Sequence, residues 1–308
     1  MTQTQLPIIQ RAITHAGRVA MRFGSAKSTY RELVDASSSV AALLLNAETD
    51  LSEARVAYLV PPGPRYVKTQ WGIWRAGGVA VPLSLSATAK ELEYALTDSQ
   101  ASVVVTPSEL SDRVRALCGQ NDIRLLEIDE PPRTSSVDLP GISTDRRAMI
   151  LYTSGTTSKP KGVVTTHRCI QAQIESLVEA WHWRAEDRIP LFLPLHHIHG
   201  IINIMSCGLW SGAEIEAFPR FDLGTVCDRV AADAYTVFMA VPTIYVKLIE
   251  ALEASPSSTR QPIVDGYAKM RLMVSGSAAL PASVHEKWTE LTGQELLERY
   301  GMTEIGMA

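Results

Sequence analysis

The feature that most constrains this chain is an alternation of short apolar runs with helix-length amphipathic segments. Arg55-Val56-Ala57-Tyr58-Leu59-Val60 reads as a strand stopped by Pro61-Pro62-Gly63, and a helical stretch follows through Trp71 and Trp74 to Gly77-Gly78. Val79 to Leu83 is a second strand, Lys90 to Thr97 a helix, and Ser102 to Val105 a third strand. Near-continuous apolar strands separated by helices predict an α/β fold whose mostly parallel sheet is buried on both faces. Residues 131–147, with Pro131, Pro132 and Pro140, read as a connecting loop and a candidate subdomain boundary. Beyond it the alternation resumes. Strands are expected at Ala148 to Tyr152, Ile189 to Leu193, Ala213 to Phe218, Thr236 to Ala240, Arg271 to Ser275 and Glu295 to Arg299. Helices are expected near 168–181, 200–210, 242–253 and 282–292.

Composition narrows the function. The chain of 308 residues is 46% hydrophobic and 20% charged, with mean hydropathy +0.03, which suits a globular protein with a sizeable core. Its 29 basic and 33 acidic residues are well mixed, giving a net charge of −4 and no basic footprint for nucleic acid. Cys118, Cys169, Cys207 and Cys227 lie far apart with no C-x-x-C pair, which argues against a disulfide framework or a zinc site and fits an intracellular setting. No apolar run is long enough to span a membrane. The first 31 residues hold Arg11, Arg18, Arg22, Lys27 and Arg31 without an acid, as a transit peptide would. Thr29-Tyr30-Arg31-Glu32-Leu33 nonetheless reads as a helix start continuous with the folded domain, so an ordinary basic segment is expected.

The chemistry concentrates in a few stretches. Directly after the apolar run Ala148-Met149-Ile150-Leu151 comes YTSGTTSKPKG, residues 152–162. Such a stretch buries no core. Gly155 and Gly162 permit backbone conformations that strain other residues. The hydroxyls of Thr153, Ser154, Thr156 and Thr157, with exposed N–H groups, suit phosphate oxygens, and Lys161 suits their charge. The pattern is not G-x-x-x-x-G-K-[ST], because the chain has no Gly-Lys dipeptide. The competing reading is a polar hairpin between two strands. His196, His197 and His199 are either ordinary polar residues at a strand end, metal ligands without a nearby acidic partner, or groups at a reaction channel. Glu304 is either a solvated carboxylate or, beside Thr303, a ligand for a hard cation such as Mg²⁺. Arg271 is either a salt-bridged strand start or a bidentate carboxylate clamp.

Three of these stretches, in this order, resemble motifs of the adenylate-forming superfamily of acyl-CoA synthetases, luciferases and adenylation domains. Tyr152 to Gly162 resembles its phosphate loop. Leu193-Pro194-Leu195-His196-His197-Ile198-His199-Gly200 resembles the motif lining the acyl and CoA channel, and Tyr300-Gly301-Met302-Thr303-Glu304 the motif at adenine, α-phosphate and magnesium. Ser275-Gly276-Ser277-Ala278 matches the segment that packs on adenine. Within the superfamily the runs 238–245, 271–281 and 297–308 look most like malonyl-CoA synthetases, the mitochondrial branch above all.

The resemblance covers essentially the whole chain and implies the large N-terminal domain of that fold. It implies an ATP-dependent acid–thiol ligase of fatty-acid metabolism, using ATP, Mg²⁺ and coenzyme A on a carboxylic acid, malonate first and another short- or medium-chain acid as the alternative. Lys161 and the hydroxyl loop would hold the β- and γ-phosphates. Gly276, Ser277, Ala278, Tyr300 and Gly301 would hold the adenine end. Thr303 would touch the α-phosphate, and Glu304 with Thr156 would hold magnesium. His197 would line the channel where acyl group and thiol meet, His199 would sit by the acyl group, and Arg271 would take the distal carboxylate. One departure is Ser158, where the family usually has glycine; at φ > 0 a serine adds strain on the order of a kcal/mol. The chain ends at Met307-Ala308, before the lid such enzymes carry, so residues 1–308 alone are expected to bind nucleotide weakly and make little thioester. A nucleotide- or partner-binding form without turnover is the rival function.

The phosphate assignment has a direct check. Lys161→Ala should weaken MgATP binding by about 1.5–3 kcal/mol, the worth of a charge-assisted contact. Calorimetry showing unchanged affinity in a folded variant would remove the assignment.

Overall fold

The computed structural model describes residues 5–130, 138–153 and 159–307. A six-stranded sheet runs in the order Arg124–Glu127, Val103–Thr106, Arg55–Tyr58, Val79–Pro82, Arg147–Thr153 and Lys161–Thr166. Its pairs are parallel except the last, where Arg147–Thr153 and Lys161–Thr166 form an antiparallel hairpin. Alternate side chains enter two different apolar cores. Val56, Tyr58, Val103 and Val105 face one, and Ala57, Leu59, Val81 and Val104 face the other. This is the period-2 burial of a sheet covered on both faces, as its unbroken Val-rich runs predict.

A second sheet orders Ala26–Thr29, Val19–Phe23, Glu214–Ala217 and Arg188–Leu191, and a third, wholly parallel, orders Val237–Ala240, Leu272–Ser275 and Leu297–Glu298. The two adjoin where the Thr236 N–H donates to the Arg188 carbonyl at 2.9 Å. The larger core is continuous across the segment read as a connecting loop, joining Val56 and Tyr58 to Ile189, Phe238 and Trp288. The part of that loop at 131–137 lies outside the described residues. Among the described residues no helix is long and apolar enough to cross a membrane.

The helices start where local chemistry directs. Thr29 and Thr88 each close a capping box, with Glu32 and Glu91, at the starts of Tyr30–Leu45 and Ala89–Asp98. Pro64 and Pro242 open Pro64–Arg75 and Pro242–Ala254, where a missing N–H costs nothing. One expectation needs correcting. The stretch near 200–210 is π-helical over His199–Ser206 and α-helical only over Cys207–Ser211. A further helix, Ser257–Ala268, was not expected from the sequence.

The helix His167–Ala180 begins with a buried histidine, 6% exposed, set edge-on against Trp74 with ring centroids 5.5 Å apart. Burial, reinforced by the charge of Arg146, lowers the His167 pKa from 6.5 to about 4. The folded chain therefore keeps a neutral ring where the unfolded chain binds a proton. This contribution is complete above pH 6.5 and is lost as pH falls toward 4. Stability should drop by about 2 kcal/mol at pH 5 from this residue. Thermal midpoints at pH 7 and pH 5 test this: His167→Leu should lose less on acidification than the native chain, and an equal loss would contradict it.

Candidate active site

Thr153, the histidine motif and Gly276-Ser277 stand at or just beyond the C-terminal ends of strands, where open α/β sheets place their ligands. Thr153 ends Arg147–Thr153 and pairs in register with Lys161, so the two stand at the neck of the hairpin. Ser154, Gly155, Thr156, Thr157 and Ser158 lie outside the described residues. The neck is tied down: the Tyr94 hydroxyl donates to the Pro160 carbonyl at 2.8 Å and the Tyr152 hydroxyl to Asp98 at 2.8 Å. The hairpin and the phosphate-loop readings are thus compatible, one describing the backbone and the other its use. Lys161 is exposed.

The histidine motif follows Arg188–Leu191 as a tight turn into the π-helix. A Cβ on Gly200 would sit 2.8 Å from the Pro194 carbonyl oxygen, so only glycine lets the turn close this tightly. A buried hydroxyl chain anchors its start. Gln70 Nε2 donates to the Tyr58 oxygen at 3.1 Å, Tyr58 donates to Tyr66 at 2.8 Å, and Tyr66 donates to the Leu195 carbonyl at 2.6 Å. His196 and His197 stack with ring centroids 4.1 Å apart, and burial with the neighbouring His197 lowers His196 to about 4. His199 is buried, with Nδ1 3.0 Å from Ser277 Oγ and Nε2 without a hydrogen-bond partner among the described residues. Burial first, then the charges of Arg299 and His197, keep its pKa well below 6.5, so the ring is neutral at pH 7. No group of three His, Cys, Asp or Glu able to hold a metal occurs among the described residues, which leaves the histidine metal reading without support.

Opposite His199, Leu272–Ser275 runs into Gly276 and Ser277, the latter in the left-handed region at φ 70°. A Cβ on Gly276 would lie 2.6 Å from Arg299 Cζ, so this glycine lets a guanidinium lie against the backbone. Arg299 is only 8% exposed. Its Nη1 contacts Met307 Sδ at 2.7 Å, while Nε and Nη2 have no hydrogen-bond partner among the described residues. Burial lowers its pKa to about 10, which leaves it cationic at neutral pH. Ala278 is exposed beyond Ser277, Tyr300 is 65% exposed on the same edge, and Gly301 opens the short hairpin Gly301–Met302 with Gly306–Met307. Thr303 and an exposed Glu304 sit in the turn of that hairpin and line a cavity of about 190 Å³ with Met149, Ile198 and Asn203.

Arg271 is not brought to this site. It stands before the first residue of Leu272–Ser275, at the opposite end of the strand from Gly276. Its guanidinium donates to both oxygens of Asp187, Nε to Oδ1 at 2.7 Å, and to the Trp181 carbonyl at 2.8 Å. The salt-bridged strand start is therefore the reading the geometry supports, and the carboxylate clamp is corrected. Sequence reasoning missed Arg299, although the signal was present: Arg299 closes its expected strand, whereas Arg271 opens its own.

Comparison with known proteins places the chain in a family. The AMP-binding enzyme family matches residues 9–308. The mitochondrial malonate–CoA ligase ACSF3 of Mus musculus is 40% identical over 328 residues, covering 100% of this chain and 56% of the relative. A malonate–CoA ligase of Arabidopsis thaliana is 33% identical over 94% of this chain and 54% of its own length. Among solved structures, ATP-bound MatB from Rhodopseudomonas palustris superposes with TM-score 0.86 at 28% identity, over 99% of this chain and 61% of that one. A malonyl-CoA ligase bound to methylmalonyl-CoA and AMP gives 0.84 at 32% identity, over 98% of this chain and 62% of that one. The chain thus spans little more than half the length of the curated relatives described. With the family match running from residue 9 to the last residue, and a relative at 40% identity across its whole length, this chain belongs to the AMP-binding enzyme family.

Proposed function

We propose that the chain is the adenylating portion of an acid–thiol ligase that activates a short dicarboxylic acid, malonate in the first instance, and passes it to coenzyme A. The observation that carries the acid's identity is Arg299: a buried cation with two unpaired nitrogens beside His199 and Ser277. A buried charge without a partner is costly, and a second carboxylate on the substrate would satisfy it bidentately. The names of the malonate–CoA ligase relatives support the same substrate.

The chemistry follows from the leaving group. Oxide does not leave a carboxylate, so a carboxylate oxygen first attacks the α-phosphorus of ATP and pyrophosphate departs. The CoA thiol then attacks the acyl carbon of the adenylate, and AMP departs. The protein's part in the first step is positioning and charge compensation. Lys161 and Thr153 at the hairpin neck hold the β- and γ-phosphates, together with Ser154, Gly155, Thr156 and Thr157. Gly276, Ser277, Ala278, Tyr300 and Gly301 bound the adenine, and Thr303 donates to the α-phosphate. The exposed Glu304 carboxylate beside Thr303 is a hard oxygen donor that fits Mg²⁺, with Thr156 as a second ligand. When bound, that ion neutralises phosphate charge. His199, neutral and fixed by Ser277, orients the acid without adding charge, and His197 faces the thiol's approach. Action in mitochondria is proposed on the relatives' names, with a cytoplasmic form as the alternative.

Pyrophosphate exchange in a version continued with a relative's remaining domain tests this reading. Arg299→Met should cost malonate roughly 10²-fold or more, the 2–5 kcal/mol of a severed buried charge pair, while acetate use is spared or improved. Arg271→Met should lower the thermal midpoint without changing the malonate-to-acetate ratio. Equal losses for both acids in Arg299→Met would rule out the dicarboxylate. No exchange with any acid would favour the rival nucleotide- or partner-binding form.

A further inference from the structure

Cys118, Cys207 and Cys227 are buried, and Cys169 is exposed. It stands in the first turn of His167–Ala180, where the Thr166 hydroxyl donates to its Sγ at 3.2 Å and so lowers the thiol's pKa from its ordinary value. A thiol that is readily deprotonated and open to solvent is the kind that attacks disulfides. Cys169 also lines the cavity of about 190 Å³ that it shares with Thr303 and Glu304. Asn203 lines the same cavity, is fully buried at 0% exposure, and has no hydrogen-bond partner for Nδ2 or Oδ1 among the described residues. Buried carboxamides in folded proteins are nearly always satisfied, so this one points to a polar group received from outside. Gln173, one turn beyond Cys169, lines the cavity too. Its Oε1 accepts from the Met307 N–H at 2.6 Å, which ties the helix to the hairpin that carries Thr303 and Glu304.

We propose that Cys169 is a modification site, where its sulfur forms a mixed disulfide with a small thiol carrying an amide nitrogen two carbons from sulfur, and that Asn203 receives the amide. Coenzyme A and glutathione both have this chemistry. The Cys169 thiolate attacks one sulfur of the incoming disulfide, whose S–S bond breaks as the new one forms, and the departing thiolate takes a proton from solvent. Cys169 is oxidised and the departing sulfur is reduced. A carboxamide has donors on Nδ2 and an acceptor on Oδ1, which answer the C=O and N–H of an amide. The cavity has room for roughly six groups of about 30 Å³ each, enough for the added sulfur, two carbons and the amide. An adduct there stands between the helix and the hairpin, and so opposes the seating of phosphate at Thr303 and magnesium at Glu304. That consequence rests on the ligase reading; the modification itself does not.

The reduced chain as it stands, treated with defined disulfides, tests this. Peptide mass mapping should find the adduct on Cys169 and not on the three buried cysteines. Bis(N-acetyl-2-aminoethyl) disulfide should react about fivefold faster than bis(2-hydroxyethyl) disulfide, which lacks the amide, once both rates are divided by those with the urea-unfolded chain; this is the equivalent of one net hydrogen bond. Asn203→Leu should abolish that ratio while Cys169 still reacts. Coenzyme A disulfide and glutathione disulfide, compared in the same way, distinguish the two natural sources. In calorimetry the adduct should bind MgATP roughly tenfold more weakly than the reduced chain, a coupling typical of linked sites, and dithiothreitol should restore the affinity. Cys169→Ser should bind MgATP as the native chain does and ignore the disulfides. An unreacted Cys169, or equal corrected rates for the acetylated and hydroxyethyl compounds, overturns the proposal, and both are read on the native chain even if a variant does not fold. An adduct that leaves MgATP affinity unchanged overturns the obstruction. If the reduced chain binds no nucleotide, the ligase reading has failed, while the disulfide ranking still decides the modification.

Discussion

A guanidinium buried without an acid is the constraint around which the site is arranged. Arg299 comes off the end of a short edge strand and lies against a backbone that only glycine at 276 allows so close. Taking an ion of this size out of water costs several kcal/mol even after relaxation. Met307 sulfur is a weak acceptor and offsets little of that. The charge also acts on its surroundings, helping to hold His199 neutral and so leaving the Ser277 contact as a hydrogen bond between uncharged groups. A fold keeps such a cation when a ligand completes it.

The rest of the fold serves to place groups around that charge. The segments leaving the three sheets carry the hairpin neck at Thr153 and Lys161, the histidine turn, and the Gly276-Ser277 bend, of which the last two meet at the His199–Ser277 contact. The histidine turn is suspended from the six-stranded sheet by a chain of buried hydroxyls from Gln70 through Tyr58 and Tyr66 to the Leu195 carbonyl. Such a relay is rigid because every member is buried, and a lost member leaves an unpaired polar atom with no water to replace it.

Much of this was legible in the sequence because parallel strands buried on both faces show as unbroken apolar runs. Val103–Thr106 and Val237–Ala240 fall within a residue or two of where their runs place them. Strands that carry polar residues escaped. Ala26–Thr29 was assigned no element, and Lys161–Thr166, behind the polar stretch that precedes it, was read only as one side of a possible polar hairpin. Helix Ser257–Ala268 escaped because its Ser-rich start and internal Pro262 read as breakers, while tertiary packing of Ile263 and Tyr267 overrides both. At the site, residue types were readable and partners were not. Arg271 and Arg299 both border a strand, and only the fold reveals that Asp187 lies 84 residues upstream to neutralise the first. Asn203 sits in an apolar stretch, Ile201 to Met205, where nothing in the sequence marks it as unpaired.

The central claim is that the unpaired cation at Arg299 exists to receive a second carboxylate from the substrate. A crystal structure of the chain with a non-hydrolysable ATP analogue and malonate tests it most directly. The account predicts the distal carboxylate within about 3 Å of Arg299 Nε and Nη2, in the paired geometry of a guanidinium and a carboxylate. A malonate bound with its distal carboxylate elsewhere, and Arg299 still resting only on Met307, would contradict it.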